Sequence, residues 1–251
     1  MTTRRPLALV TGGMRRLGAS IAARLSQAGY DLALSSHADA VPEAGLARTL
    51  DASGVDWKGF IADLAQPSAP ETLIRDVISH FGRAPNLLVN NAAMFGQDDW
   101  KDMSAASLDA HFRLNMYAPV LLSQALVKAA DDQVAIVHVT DQRTENPPPD
   151  QLSYTLSKQA LAASVRTMAI ALGAAARINA VAPGLVIVTE DYAPGQPELL
   201  AERMPLGTLP GPDEVAQAVL YLAGAKHVTG QTVFVDSGAH LKSFDRDFVY
   251  L

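Results

Sequence analysis

The fold is decided by a stretch near the start of the chain, Leu7-Ala8-Leu9-Val10-Thr11-Gly12-Gly13-Met14-Arg15-Arg16-Leu17-Gly18. Its first five residues predict a buried β-strand, and an amphipathic helix is predicted over residues 18–28. Glycines between a strand and a helix allow a tight turn, and the N–H groups at the start of the helix have no partner within it. The stretch therefore predicts a site for a nucleotide pyrophosphate, with a purely structural turn as the alternative.

The alternation of strands and helices continues to the end of the chain. The further predicted strands are residues 31–35, 57–62, 86–90, 134–140, 177–181 and 232–235. The further predicted helices are residues 43–52, 67–81, 104–130 (interrupted at Pro119), 152–176 and 213–223. This order predicts an α/β fold with a seven-stranded parallel sheet and helices on both faces, a doubly wound Rossmann-type domain.

Residues 1–251 are predicted as a single domain, because no repeat or shift in composition divides the chain. Its first half would bind the dinucleotide, and its second half would carry the catalytic residues and a substrate loop. Residues 186–212 are rich in proline and glycine, and they are either a mobile loop over the site or an ordinary surface connection.

The composition excludes several classes of protein. The chain has 20 Lys and Arg against 26 Asp and Glu, a net charge of −6, and no cysteine. The net negative charge gives no electrostatic reason to expect a nucleic-acid partner, and the absence of cysteine excludes a disulfide scaffold. No apolar run approaches the roughly 20 residues of a membrane span. We therefore expect a cytoplasmic protein with no membrane partner and no metal site.

The end of the second predicted strand bears on the choice of nucleotide. Folds that bind NAD place an acidic residue there, which accepts a hydrogen bond from the ribose 2′-OH. This chain has Ser35-Ser36-His37 instead. Ser36 and His37 could donate to a 2′-phosphate, with Arg15 or Arg16 nearby. The sequence therefore predicts NADPH, while use of NADH as well stays open.

A second motif, Tyr154-Thr155-Leu156-Ser157-Lys158, places a tyrosine and a lysine on one helix face because they are four residues apart. The lysine cation favours the phenolate, so we expect a lowered pKa of Tyr154 and proton transfer by the pair. A solvated helix face is the alternative. Asp141 precedes Tyr154 by 13 residues, at the end of a predicted strand. It could relay protons, or it could be a surface residue or mark an inactivated site.

Together these motifs resemble the short-chain dehydrogenase/reductase family over nearly the whole chain. Residues 11–18 match Thr-Gly-x-x-x-Gly-x-Gly, except that Arg16 replaces the middle glycine, and Asp141 replaces the usual serine. Both departures, together with Phe95, resemble the pteridine-reductase branch, including the bacterial dihydromonapterin reductases. Other matches to family motifs are Asp63, Asn90-Asn91-Ala92-Ala93, Asn115, Asn179, Pro183-Gly184 and residues 229–238.

The resemblance implies a role for each matching residue. Tyr154 would donate a proton, Lys158 would bind the nicotinamide ribose, Asp141 would relay protons, and Asn115 would hold a water that links Lys158 to solvent. Phe95 would sandwich a pterin against the nicotinamide, unless it is a core or lid residue. The implied substrate-binding residues are Arg16, Phe95, Asp141 and Tyr154. The implied cofactor-binding residues are Gly12, Arg15, Arg16, Leu17, Gly18, Ser36, His37, Asp63, Leu64, Asn91, Ala92, Thr140, Tyr154, Lys158, Pro183 and Gly184.

The implied activity is transfer of the 4-pro-S hydride of NADPH to a C=N bond of a dihydropterin such as dihydromonapterin or dihydrobiopterin, or of dihydrofolate. The family is usually tetrameric, so a homotetramer is expected. The apolar residues 248–251 would suit a subunit interface or would fold back on their own chain. Two alternatives stay open: an NADP(H)-dependent carbonyl or alcohol oxidoreductase of the same family, and a non-catalytic protein that binds a nucleotide or pterin.

Overall fold

A computed structural model describes residues 4–251 and places a parallel sheet at the centre of the chain. Its strands are β1 (Leu7–Thr11), β2 (Asp31–Ser36), β3 (Trp57–Ile61), β4 (Leu87–Asn90), β5 (Val134–Val139), β6 (Ala176–Pro183) and β7 (Thr232–Val235). The seven strands are ordered β3-β2-β1-β4-β5-β6-β7, and every neighbouring pair is parallel. The predicted fold class is confirmed.

Helices cover both faces of the sheet. They are α1 (Arg16–Gln27), α2 (Ala44–Ser53), α3 (Ala69–Phe81), α4 (Ala105–Phe112), α5 (Ala118–Ala129), α6 (Leu152–Leu172), α7 (Gln196–Arg203) and α8 (Pro212–Gly224). Side chains alternate along β1, so Ala8 and Val10 pack with α1, α2 and α8, whereas Leu7 and Leu9 pack with α3 and α5. Among residues 4–251, no helix is both long and apolar enough to cross a bilayer.

The helix predicted over residues 104–130 is divided, but Pro119 does not cause the division. α4 ends at Phe112, and residues Arg113–Tyr117 form a π-helical turn before α5 begins. Pro119 lies in the first turn of α5, where a backbone N–H is not needed. The interruption therefore comes from the π-helical turn, which buries Asn115.

No helix was predicted within residues 186–212, but this stretch contains α7. Leu200 is the one buried residue of α7 and packs with Met204 and Phe248 in a small separate apolar cluster. A helix that buries so little has no clear apolar period in its sequence.

The end of the chain folds back on its own subunit. Phe248 is buried, and the Gln196 side chain donates to the main-chain carbonyls of Phe248, Val249 and Leu251. Of the two alternatives for residues 248–251, this chain therefore adopts the second. Phe248 of the tail and Leu200 of α7 thus pack in one cluster with Leu185, which follows β6.

Candidate active site

The glycine-rich turn lines a cavity of about 660 Å³ at the carboxyl ends of β1, β2 and β4. Gly12 has a φ of 61°, in the left-handed region that glycine adopts readily. A Cβ on Gly18 would lie 1.9 Å from the carbonyl oxygen of Gly12. Both positions therefore require glycine, and the strand order reverses here, where open α/β sheets bind their ligands.

Arg16 adopts a φ of 54°, the left-handed conformation that a glycine would adopt at no cost. An arginine there costs about 1–2 kcal/mol. The carboxylate of Glu43 accepts a hydrogen bond from the Arg16 N–H at 3.0 Å, and the Glu43 N–H donates to the Met14 carbonyl at 3.0 Å. Glu43, which sequence reasoning missed, therefore braces the turn at two points and offsets this cost.

Most of the predicted cofactor residues line this cavity. They are Gly12, Arg15, Arg16, Leu17, Gly18, Ser36, His37, Asp63, Leu64, Asn91, Ala92 and Gly184. The other four predicted cofactor residues, Thr140, Tyr154, Lys158 and Pro183, do not line it. The Thr140 hydroxyl donates to the Val181 carbonyl at 3.2 Å, and Pro183 pairs with Val235 in the sheet. The contacts of these four residues with a cofactor stay predictions.

A carboxylate beside the expected 2′-phosphate position was also missed. Asp39 lines the cavity and forms an ion pair with Arg15 at 2.7 Å. Its main-chain carbonyl accepts a hydrogen bond from the Ser36 hydroxyl. Arg15 and Ser36, two expected donors to the 2′-phosphate, are thus already bonded to Asp39. Because exposed ion pairs contribute only about 0–1 kcal/mol, a phosphate dianion can compete for Arg15.

Tyr154, Asp141 and Lys158 come together where β5 ends. The Tyr154 hydroxyl donates to a carboxylate oxygen of Asp141 at 2.7 Å. The Lys158 ammonium lies 5.9 Å from the centre of the Tyr154 ring and donates to the Val139 carbonyl at 2.8 Å. Tyr154 and Lys158 are both buried. The structure thus joins the three residues that the sequence spacing singled out.

The pKa of Tyr154 is raised well above its usual value, so the expectation that Lys158 lowers it is wrong. Burial is the largest cause, and the negative charge of Asp141 and its hydrogen bond add to it, while Arg143 opposes it. The carboxylate of Asp141, in direct contact with the hydroxyl, disfavours the phenolate, and the ammonium of Lys158 lies 5.9 Å from the centre of the ring. Tyr154 therefore keeps its proton at neutral pH, which suits a proton donor.

Burial lowers the pKa of Lys158 to about 8, although the charge of Asp141 opposes this shift. The folded chain thus releases this proton near pH 8, whereas an unfolded chain retains it to about pH 10.4. Because the unfolded state holds more protons between these values, stability rises with pH in this interval.

We therefore expect the free energy of unfolding of the wild type, relative to Lys158→Met, to rise by about 1 kcal/mol per pH unit between pH 8 and 10. Below pH 8 the difference in the free energy of unfolding between the wild type and Lys158→Met should be constant, because Lys158 is protonated in both the folded and the unfolded chain. Urea unfolding at pH 6, 7, 8, 9 and 10 measures it. The matched control is Lys128→Met, which removes an exposed lysine of α5. An equal slope in the control would contradict the assignment to Lys158.

A second cavity, of about 140 Å³, lies beside Asp141. Gly184 and Leu185 line both cavities, so the two meet at the end of β6. Phe95 lines the second cavity and is 55% exposed, and its ring meets that of Tyr154 edge to face with centroids 4.8 Å apart. Of the predicted substrate residues, Phe95 and Asp141 line this cavity and Tyr154 contacts both of them.

Arg16 is the exception among the predicted substrate residues, because it lines only the first cavity.

Sequence reasoning also missed Arg143, which is buried in the wall of the second cavity, where its guanidinium lies 5.8 Å from the centre of the Tyr154 ring. Arg143 pairs with Asp150 at 3.2 Å and with Asp247 at 3.4 Å. Burial raises the pKa of Asp247. No local pattern connects Asp247 to the motif around Tyr154, because it comes from the end of the chain.

Asn115 is buried in the π-helical turn. Its side-chain oxygen accepts from the Met94 N–H at 2.9 Å, and its nitrogen donates to the Met94 carbonyl and to the Ser157 hydroxyl, each at 3.0 Å. Both ends of the carboxamide are bonded within the protein, so the side chain fastens the segment after β4 to α6. The water relay to Lys158 stays a prediction.

Comparisons with known proteins cover almost the whole chain. The family model described as enoyl-(acyl carrier protein) reductase matches residues 13–240. Pteridine reductase 1 of Leishmania tarentolae is 30% identical, over 94% of this chain and 96% of that protein. 3-Oxoacyl-(acyl-carrier-protein) reductase FabG of Pseudomonas aeruginosa is 29% identical, over 96% of this chain and 100% of that protein. The crystal structure of FolM alternative dihydrofolate reductase 1 from Brucella canis, complexed with NADP, superposes with a TM-score of 0.85 at 33% identity, over 94% of this chain and 95% of that chain.

Proposed function

The chain belongs to the short-chain dehydrogenase/reductase family, and from this premise we propose that it is an NADPH-dependent pteridine reductase. One observation carries the proposal. Phe95, half-exposed in the wall of the second cavity, lies against Tyr154, whose hydroxyl donates to Asp141. A flat heteroaromatic substrate gains a ring to stack on beside a proton donor.

NADPH fits the first cavity. Gly18 leaves no space for a Cβ, Gly12 adopts a left-handed φ, and the start of α1 offers N–H groups to an anion, which suits a pyrophosphate. Arg15, Ser36 and His37 would hold the 2′-phosphate. The adjoining pair, Tyr154 and Lys158, would hold the nicotinamide ribose. When bound, NADPH supplies the hydride. The NADP complex of the Brucella FolM protein supports this assignment.

The residues around the second cavity would supply the proton. Tyr154, held neutral by its raised pKa, would donate to the ring nitrogen of the C=N bond while the ring carbon receives the hydride, leaving CH–NH. Lys158 would stabilise the phenolate that forms. Asp141 borders the cavity and contacts the Tyr154 hydroxyl, so it would return a proton to that oxygen from solvent. Dihydromonapterin, dihydrobiopterin and dihydrofolate are the candidate substrates.

A carbonyl or alcohol oxidoreductase is the second candidate, favoured by the full-length similarity to a 3-oxoacyl reductase. NADPH oxidation, followed at 340 nm with dihydropterins, dihydrofolate and a panel of carbonyl compounds, separates the candidates. Pterin-dependent oxidation that exceeds the carbonyl rate supports the proposal, and oxidation with carbonyls alone contradicts it. NADPH binding without turnover of either class would instead indicate a non-catalytic protein.

We also propose that the enzyme is a cytoplasmic homotetramer. Exposed apolar side chains on neighbouring helical segments support an assembly: Tyr117 in the π-helical turn, Leu121 in α5 and Leu156 in α6. Light scattering of the purified chain tests the stoichiometry, and a monomer at micromolar concentration contradicts it.

A further inference from the structure

Asp98 caps the helix that carries Tyr154, although it lies far from that helix in the sequence. Gln151, at the N-cap of α6, adopts a left-handed φ of 54° and supplies no side-chain cap. Instead, the Asp98 carbonyl accepts from the Leu152 N–H at 3.2 Å, and the Asp98 carboxylate accepts from the Ser153 N–H at 3.0 Å. One residue from the connection between β4 and α4 therefore satisfies two of the open N–H groups of α6.

The carboxylate of Asp98 also accepts from two hydroxyl groups. Ser107, in the first turn of α4, donates to it at 2.7 Å, and the fully buried Ser153 hydroxyl donates to the same oxygen. Burial alone would raise the pKa of Asp98, but the hydrogen bonds from Ser153 and Ser107 outweigh it and lower the pKa. A charged carboxylate thus joins α4, α6 and the connection that precedes α4.

Phe95 lies three residues before Asp98 on the same segment, residues 91–104. Between them, Gly96 packs so closely on α4 that a Cβ there would lie 2.7 Å from the His111 ring. The ring of Phe95 reaches Tyr154 at 4.8 Å. The segment thus brings Phe95 to the ring of Tyr154, while Asp98 holds the segment on the turn of α6 that carries Tyr154.

We propose that Asp98 is a positioning residue that sets the spacing between Phe95 and Tyr154, and through it the affinity for a flat aromatic substrate. The inference rests on the proposed function, since it takes the substrate to stack on Phe95. Without the carboxylate, the Ser153 N–H loses its cap, and the segment keeps only the main-chain bond from Leu152 to the first turn of that helix. A stacking ring displaced by about 1 Å from the proton donor no longer holds the substrate in reach.

The test compares Asp98→Ala and Asp98→Asn with the matched control Asp99→Asn. The Asp99 carboxylate accepts from the Lys101 N–H within its own turn. We expect Asp98→Ala to raise KM for the dihydropterin about tenfold, which corresponds to a free-energy change of the size that loss of a helix cap causes. Asp98→Asn should give a smaller increase, because an amide oxygen can still accept from Ser153. Asp99→Asn should match the wild type, and the Kd for NADPH should not change in any variant.

A double-mutant cycle separates positioning from a general loss of structure. If Asp98 acts through Phe95, then Asp98→Ala should raise KM no more than about twofold in a Phe95→Ala background. The inference would be overturned if the effects of Asp98→Ala and Phe95→Ala on KM multiplied, or if Asp98→Ala lowered Tm and left KM unchanged. A merely structural role of Asp98 predicts these results.

Amide hydrogen exchange tests the cap without any substrate. We expect faster exchange at Ser153 in Asp98→Ala and unchanged exchange in Asp99→Asn. Failure of the wild type to reduce any pterin would reject the proposed function. Faster exchange in Asp98→Ala would then still support the inference that Asp98 holds the segment with Phe95 against α6. Unchanged exchange in Asp98→Ala would overturn the inference whatever the substrate.

Discussion

Tyr154→Phe is expected to lower kcat for dihydropterin reduction by about 1,000-fold, the loss typical of a removed general acid. The change deletes the hydroxyl that donates to Asp141 at 2.7 Å and keeps the ring that meets Phe95. The Kd for NADPH should stay within about twofold, because one of several contacts to the cofactor is lost. Single-turnover oxidation of bound NADPH, followed by stopped flow, measures the chemical step directly.

The matched control for this experiment is Tyr221→Phe, which removes the hydroxyl of an exposed tyrosine in α8. Its kcat should equal that of the wild type. If Tyr154→Phe retained more than about a tenth of the wild-type rate, general-acid catalysis by Tyr154 would be ruled out, since that role contributes about 100- to 10,000-fold.

Asp141→Asn is expected to lower kcat about 100-fold, because an amide still accepts the hydrogen bond from Tyr154 but cannot return a proton to it. The change also alters the pH dependence. Lys158 titrates near pH 8, and the charge of Asp141 raises its pKa, so neutralising Asp141 lowers that pKa. Lys158 then loses the charge that would stabilise the phenolate at a lower pH, and the alkaline decline of kcat should move to lower pH than in the wild type.

Profiles of kcat against pH from 5 to 10 measure this shift, with Asp131→Asn, an exposed aspartate after α5, as the control. The control should reproduce the wild-type profile. An alkaline limb that stays in place or moves upward in Asp141→Asn would contradict the electrostatic coupling between Asp141 and Lys158. A normal rate at neutral pH would contradict the proton relay.

The parts of the site that were predictable are encoded locally. The turn at Gly12 and Gly18 follows β1 directly in the sequence, and Tyr154 and Lys158 lie one helical turn apart. In both cases the residues that act together are neighbours in the chain, so their geometry follows from strand and helix periods. Asp141 was also predictable, because the family spacing places it before Tyr154.

The parts that were missed reach the site from other segments. From connections between elements, Asp39, Glu43 and Asp98 each contact a motif residue or its helix. Asp247, near the chain end, contacts Arg143 beside Tyr154. No period in the sequence indicates such contacts, because only the folded chain brings these segments together. The pKa of Tyr154 was misjudged for the same reason, since its direction depends on burial and on the contact of the Asp141 carboxylate with the hydroxyl.

Element ends were missed where the local pattern was ambiguous. The alanine-rich run predicted a helix to residue 176, but α6 ends at Leu172. Gly173, with a φ of 51°, turns the chain out of the helix, and Ala176 already belongs to β6. Alanine is compatible with both elements here, so the glycine rather than the composition decides the boundary.

The most direct test of the pteridine-reductase account is a competition with NADPH that carries deuterium at the 4-pro-S position. A dihydropterin and a carbonyl compound are supplied together at equal concentration, and mass spectrometry locates the label after partial turnover. The account predicts a tetrahydropterin that carries the deuterium on a ring carbon, with little label in the alcohol. Deuterium found in the alcohol, with the pterin recovered unlabelled, would contradict it.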